Sequence, residues 1–378
     1  MANRYWSPAG AANWGDANVW ATTDGGDPTG VATPTSLDDV FFTSTNINNC
    51  VIAAAANCLS IDFTGGTGYT GTLSGTQAFN VYGNFTLNSG MTNNYTGAIS
   101  MLSTAGTKTI NTNGITLKGD LNINGSGGTF KLLNNLNTLS TKSVLISYGT
   151  FTVVDGGNNY VITTGNLHFY NNSVSILGSG EHILSGTGYS GYIIFCDTTV
   201  TINADTSTIK LTGTKTAHYH FAGGGKTFYN FWDASTGAYE TIIDNDVTFN
   251  DFKLNAGREL NITNSKTLTC TTFTALGTSG SHIVIHNTSG TTHATLTKAG
   301  GGVISGCDYI DIQEITGSPA ATWYIGPNST DVGNTCTEIY LSNAVTTNIK
   351  TYNTNLYANI KTINTNAIAN VKTLNTNA

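Results

Sequence analysis

Charge is what this sequence has least of: 10% of its 378 residues are Asp, Glu, Lys or Arg. The 15 basic residues, set against 22 acidic ones for a net charge of -7, form no Lys/Arg stripe able to neutralise a row of phosphates. Nucleic acid is thereby excluded as a partner, and an anionic membrane surface with it. Long apolar runs are also missing. The longest, around VIAAAANCL, falls far short of the roughly 20 residues a bilayer span requires, so no membrane insertion is expected. The opening, MANRYWSPAG, lacks the apolar run of a secretory signal, which points to synthesis in a cytoplasm without export by general secretion.

Cysteine is sparse and scattered. Cys50, Cys58, Cys196, Cys270, Cys307 and Cys336 make neither a disulfide framework nor a C-x-x-C metal site, and buried free thiols are the expectation. Cys50 and Cys58 are the only near neighbours and hence the only candidate pair. G-x-S-x-G, P-loop and H-E-x-x-H motifs do not occur. AGGGK at Ala222 to Lys226 precedes nothing that reads as a helix, so it is a chain corner rather than a phosphate cradle. No cofactor or metal is expected.

What the chain does have is glycine, 44 of them, together with abundant Thr, Asn and Ser. Such a composition favours strands and turns over helices. Apolar residues alternate in short runs broken at a glycine or a polar pair: Phe79 and Val81, then Gly83, then Phe85 and Leu87; Ile115 and Leu117, then Gly119, then Leu121 and Ile123; Val247 and Phe249, then Asn250-Asp251, then Phe252 and Leu254. The interruptions carry a recurring word, GNFTL, GDLNI, GNLHF and NDFKL. A sandwich has no reason to reuse one strand-corner word, whereas a coil of stacked rungs does. The fold class is therefore all-β, an elongated parallel β-helix or solenoid. With roughly 20–25 residues per turn and turns about 4.8 Å apart, it makes a rod about 55–65 Å long.

Residues 1–45 hold Trp6, Trp14 and Trp20 and read as an N-terminal cap or attachment segment; residues 46–341 read as the solenoid; residues 342–378 form a tail of eleven-residue repeats, NIKTYNTNLYA and its copies. In the tail Ile349, Tyr352, Tyr357, Ile360, Ile363, Ile368, Val371 and Leu374 recur too sparsely to bury a core within one chain. They point instead to association, with a homotrimer favoured, or to docking on another protein.

The words GGTFKLLNNLNTLSTKSVLISYGTFTVVDGG, GGGKTFYNFWDASTG and TWYIGPNSTDVGN, with the opening W-x7-W-x5-W and P-x3-DDV, resemble Gly/Asn/Thr-rich right-handed β-solenoid structural proteins of tailed bacteriophages. The resemblance covers roughly residues 1–340. It implies a virion surface location, a fibre, spike or capsid-decoration role, other virion proteins as partners and no catalytic motif to carry over. A cell-surface adhesin or surface-layer protein and a polysaccharide-degrading tailspike enzyme are the alternatives.

Several residues are candidates for chemistry. In KTFYNFWDAS, outward members such as Tyr229 and Trp232 would stack on sugars, and Asp244 and Asp246 alternate onto one face, with Asp251 near, at a separation open to glycan contact, glycosidase chemistry or calcium. His218 and His220 share a strand face, as do His282 and His286. The leading expectation is a non-enzymatic adhesin for host surface glycans.

Overall fold

The structure, a computed structural model, describes residues 2–186, 191–287 and 292–342. It is an all-β coil of about 12 turns with almost no helix. At about 4.8 Å per turn the coil is about 55–60 Å long.

Each full turn lays down three short runs of strand, and each run pairs in parallel with its counterpart in the next turn. On the first face the series passes through Ile99–Met101, the start of Leu121–Leu132, the start of Ser143–Thr152, Asn166–Phe169, Tyr192–Cys196, Tyr219–Ala222, Thr241–Ile243, Glu259–Ile262 and Ile283–Asn287. On the second it passes through Asp39–Thr43, Ile61–Gly65, Phe85–Thr86 and Thr107–Asn111. On the third it passes through Ile162–Thr164, Glu181–Leu184, Thr208–Leu211 and Asn230–Asp233. Leu121–Leu132 and Ser143–Thr152 run on from the first face into the second.

Alternation sends every second side chain inward. Phe231, Phe252 and Phe273 stack down the third face, with ring centroids 4.6 and 5.6 Å apart and planes within 15°, and Trp323 meets the end of that stack edge-on. Polar side chains ladder where they recur in register: Asn80 donates to Asn57, 23 residues earlier, at 3.1 Å.

The recurring word marks a corner where turns press together. A Cβ on Gly119 would overlap the carbonyl oxygen of Gly97 in the turn before, and one on Gly165 would overlap that of Ser140. At these two corners the close approach excludes any side chain, whereas the corner word NDFKL carries Asn250 in the same place.

At the start of the chain Trp6, Trp14 and Trp20 are buried around Phe42. Asn3–Trp6 pairs in parallel with Asp39–Thr43 and antiparallel with Trp20–Ala21, so these tryptophans form the interior of the first turn. All six cysteines are free, Cys50 and Cys58 included, and both of these are buried. The tail residues Ile349, Tyr352, Tyr357, Ile360, Ile363, Ile368, Val371 and Leu374 lie outside the described residues.

Candidate functional site

The outer surface of the first face carries a column of rings. Its geometry starts with a β-bulge: the pairing of Tyr192–Cys196 with Tyr219–Ala222 shifts between Tyr192 and Ile194. The extra residue puts Ile193 and Ile194 both inside and leaves Tyr192 and Phe195 half-exposed outside. Phe195 meets Tyr170 of the preceding turn at 5.2 Å and Tyr192 at 5.4 Å, and Tyr192 meets His220 of the next turn at 5.6 Å. The aromatic column therefore crosses three turns.

Beneath it His168 is buried, with Nε2 3.0 Å from the Tyr192 carbonyl and Nδ1 2.9 Å from the Tyr170 hydroxyl. A carbonyl only accepts, so Nε2 carries the proton and the tyrosine donates to Nδ1. Burial lowers the pKa of this imidazole, against a hydrogen bond to the Tyr192 carbonyl that raises it, and the neutral ring serves to aim Tyr170.

Carboxylates continue the column. His220 Nδ1 lies 3.1 Å from both oxygens of Asp244, whose pKa is raised because burial outweighs the hydrogen bond and charge of His220. Further along the same face His218 pairs with Glu240, His286 with Glu240 and Glu259, and His282 with Asp311, each at 3.1 Å. His218 and His220 thus reach different carboxylates, as do His282 and His286.

Asp246 sits at the next corner, exposed, and accepts from the Thr267 main-chain N–H at 2.8 Å. With Phe195, Asp197, Asn245 and Lys266 it borders an open depression of about 450 Å³ at the edge of the ring column. Asp251 is elsewhere, accepting from the Thr272 hydroxyl.

The aromatic cluster of KTFYNFWDAS divides. Phe228 and Phe231 are core; Tyr229 is half-buried at a corner, and Trp232 lies on the third face. The register sets Trp232 between Lys210 and Lys253, whose ammonium groups stand 3.9 and 4.1 Å from the ring centre, one from each adjacent turn. Both indole faces are taken by cations, and Nε1 donates to Asn255 at 2.9 Å. Asp244 and Asp246 therefore neighbour the ring column, while Trp232 does not.

Sequence reasoning passed over Tyr170, Tyr192 and Phe195. Tyr192 and Phe195 are three apart, which breaks the alternation that flags outward residues, and Tyr170 comes from another turn. Comparison with the profiles of known families, with curated proteins and with solved structures finds no match to this chain.

Proposed function

We propose that this chain is a virion surface protein of a tailed bacteriophage, a fibre, spike or capsid decoration, that adheres to a host glycan along the first face without cleaving it. The observation that carries the adhesive part is the half-exposed column Tyr170, Phe195, Tyr192 and His220, bordered by Asp244 and the depression at Asp246. Aromatic faces take the C–H faces of sugars, carboxylates accept from their hydroxyls, and a column held by parallel strands is rigid before the ligand arrives. The low charge suits a weakly charged polysaccharide. The virion part rests on the resemblance of the repeated words and on the elongated coil.

The association of chains falls to the tail. Ile349, Tyr352, Tyr357, Ile360, Ile363, Ile368, Val371 and Leu374 recur in the sequence too sparsely for a core within one chain, which supports association of several copies; a trimer is the assembly proposed, with other virion proteins as the further partners. Light scattering of the full chain beside one ending at Ser342 decides this: a trimer reduced to monomers supports it, and equal masses rule it out.

Adhesion is tested by binding of the purified protein to capsular polysaccharide from candidate hosts. Replacing Tyr192 and Phe195 by Ala is expected to weaken binding by about tenfold or more, from roughly 1–3 kcal/mol per lost stacking partner by analogy with base stacking. Unchanged binding would remove the column from the argument. Shortening of the polysaccharide, abolished by Asp244→Asn or Asp246→Asn, would replace adhesion with hydrolysis.

A further inference from the structure

Beyond the ring column, the first face gathers three ligand-type side chains from successive turns. Glu240 immediately precedes Thr241–Ile243, Glu259 opens Glu259–Ile262 and His286 lies in Ile283–Asn287. One atom from each lies within 4.8 Å of the other two. His286 Nε2 is 3.1 Å from Glu240 Oε2 and 3.1 Å from Glu259 Oε1.

Three observations separate this group from an ordinary surface ion pair. First, His286 Nδ1 is 3.1 Å from the Asn287 carbonyl, so Nδ1 carries a proton and Nε2 is the atom turned toward the two carboxylate oxygens. An imidazole whose far nitrogen donates to a carbonyl is also the usual arrangement of a metal-ligating histidine. Second, Asn261, the strand partner of His286 and 3% exposed, places its amide in the cluster, with Nδ2 3.1 Å from Glu240 Oε2. Its Oδ1 is buried without a hydrogen-bond partner. Third, among the described residues neither Glu240 nor Glu259 forms a salt bridge with a lysine or arginine; their close partners are His218 and His286, and Lys215 acts on Glu240 only through its field. The charge of two carboxylates matches that of a divalent ion.

We propose that Glu240, Glu259 and His286 bind a divalent first-row transition-metal ion of the zinc or manganese type, clamping three successive turns of the coil, with the Asn261 amide N–H holding the Glu240 carboxylate in place. The spacing fits: two ligands at about 2.1 Å from a metal stand about 3.0–3.4 Å apart when cis-octahedral or tetrahedral. The mixed nitrogen and oxygen donors disfavour calcium, which takes oxygen alone. Glu240 is 13% exposed, His286 24% and Glu259 39%, leaving the Glu259 side open for water to complete the coordination.

The test uses the full chain without an affinity tag, stripped by chelator and titrated with zinc chloride in a calorimeter, with bound zinc measured after dialysis. One zinc per chain and a raised thermal midpoint are expected. Glu259→Gln and His286→Gln are each expected to weaken binding by about tenfold or more while circular dichroism stays that of the parent, and His282→Gln on the same face is expected to leave it unchanged. Absence of binding at 100-fold molar excess of zinc, equal binding in both site variants, or loss in the His282 variant alone would overturn the assignment. Calcium binding in place of zinc would overturn the choice of metal.

Discussion

Lys215 Nζ stands 2.8 Å from Asp233 Oδ2, and neither side chain reaches solvent. The pair closes a corner between the third and first faces. Thr241 hydroxyl donates to Asp233 Oδ2 at 2.7 Å and lies 2.7 Å from Lys215 Nζ, while Ser235 gives Asp233 both its main-chain N–H and its hydroxyl. Burial alone would raise the Asp233 pKa; the Lys215 charge and the hydrogen bonds outweigh it and hold the group below the ordinary carboxylate range. A buried pair so completely hydrogen-bonded fixes how two turns align, whatever its net contribution.

Breaking that pair from one side is expected to be severe. Lys215→Met strands a buried carboxylate and should lower stability by about 3–5 kcal/mol, while Lys215→Met with Asp233→Leu should recover a large part of the loss. Urea unfolding of the three proteins measures it. A single variant as stable as the parent would mean that Asp233 is not confined as described.

Acid is expected to weaken the coil from inside. His182 is buried, its Nδ1 accepting from the Ile162 N–H at 3.1 Å and its Nε2 2.8 Å from the Leu177 carbonyl, so both nitrogens are committed in the neutral form. Burial lowers its pKa, and the bond to Leu177 only partly opposes this. With the folded pKa below the unfolded value of about 6.5, the unfolded chain takes up the proton first. Stability therefore falls as pH drops from about 6.5 toward the folded pKa and levels off below it. His182→Gln should be less stable at pH 7.5 yet show a flatter pH profile; a profile parallel to the parent's would refute the role.

The corner word makes a sharp prediction. Gly119→Ala drives a methyl into the Gly97 carbonyl, so the turns must separate there, at about 1–3 kcal/mol or more. Gly10→Ala, where nothing lies within 4 Å, is the matched control and should leave the thermal midpoint nearly unchanged. Equal midpoints would show that the turns are looser than the pairing implies.

Four buried thiols should be silent in the folded protein. Burial raises the pKa of Cys50 and Cys58 well above the usual thiol value and pushes Cys270 to about 12 and Cys307 to about 11. A thiol reagent at pH 8 should find Cys50, Cys58, Cys270 and Cys307 unreactive until denaturant is added, after which all six cysteines of the sequence react. Fast labelling of Cys50 or Cys58 without denaturant would contradict the packing.

What the sequence determined by itself was the coil. Alternation such as Phe79, Val81, Phe85 and Leu87 has a period of two, which decides inside from outside within a strand without reference to any distant residue. The glycine of GDLNI and GNLHF likewise marks a corner locally, because only a missing side chain permits the close approach found at Gly119 and Gly165. The site was different in kind. Trp232 and Asp244 were both legible as outward residues, but which face each occupies depends on the number of residues between corners, and only the folded register set Trp232 between Lys210 and Lys253 and Asp244 against His220. Tyr192 and Phe195 escaped because a bulge shifts the alternation they sit in. Glu240, Glu259 and His286 are separated in sequence and carry no motif; parallel stacking sets Glu240 beside Glu259, and His286, two residues on from the partner of Glu259 in the next turn, reaches across to both. Tertiary structure alone made neighbours of them.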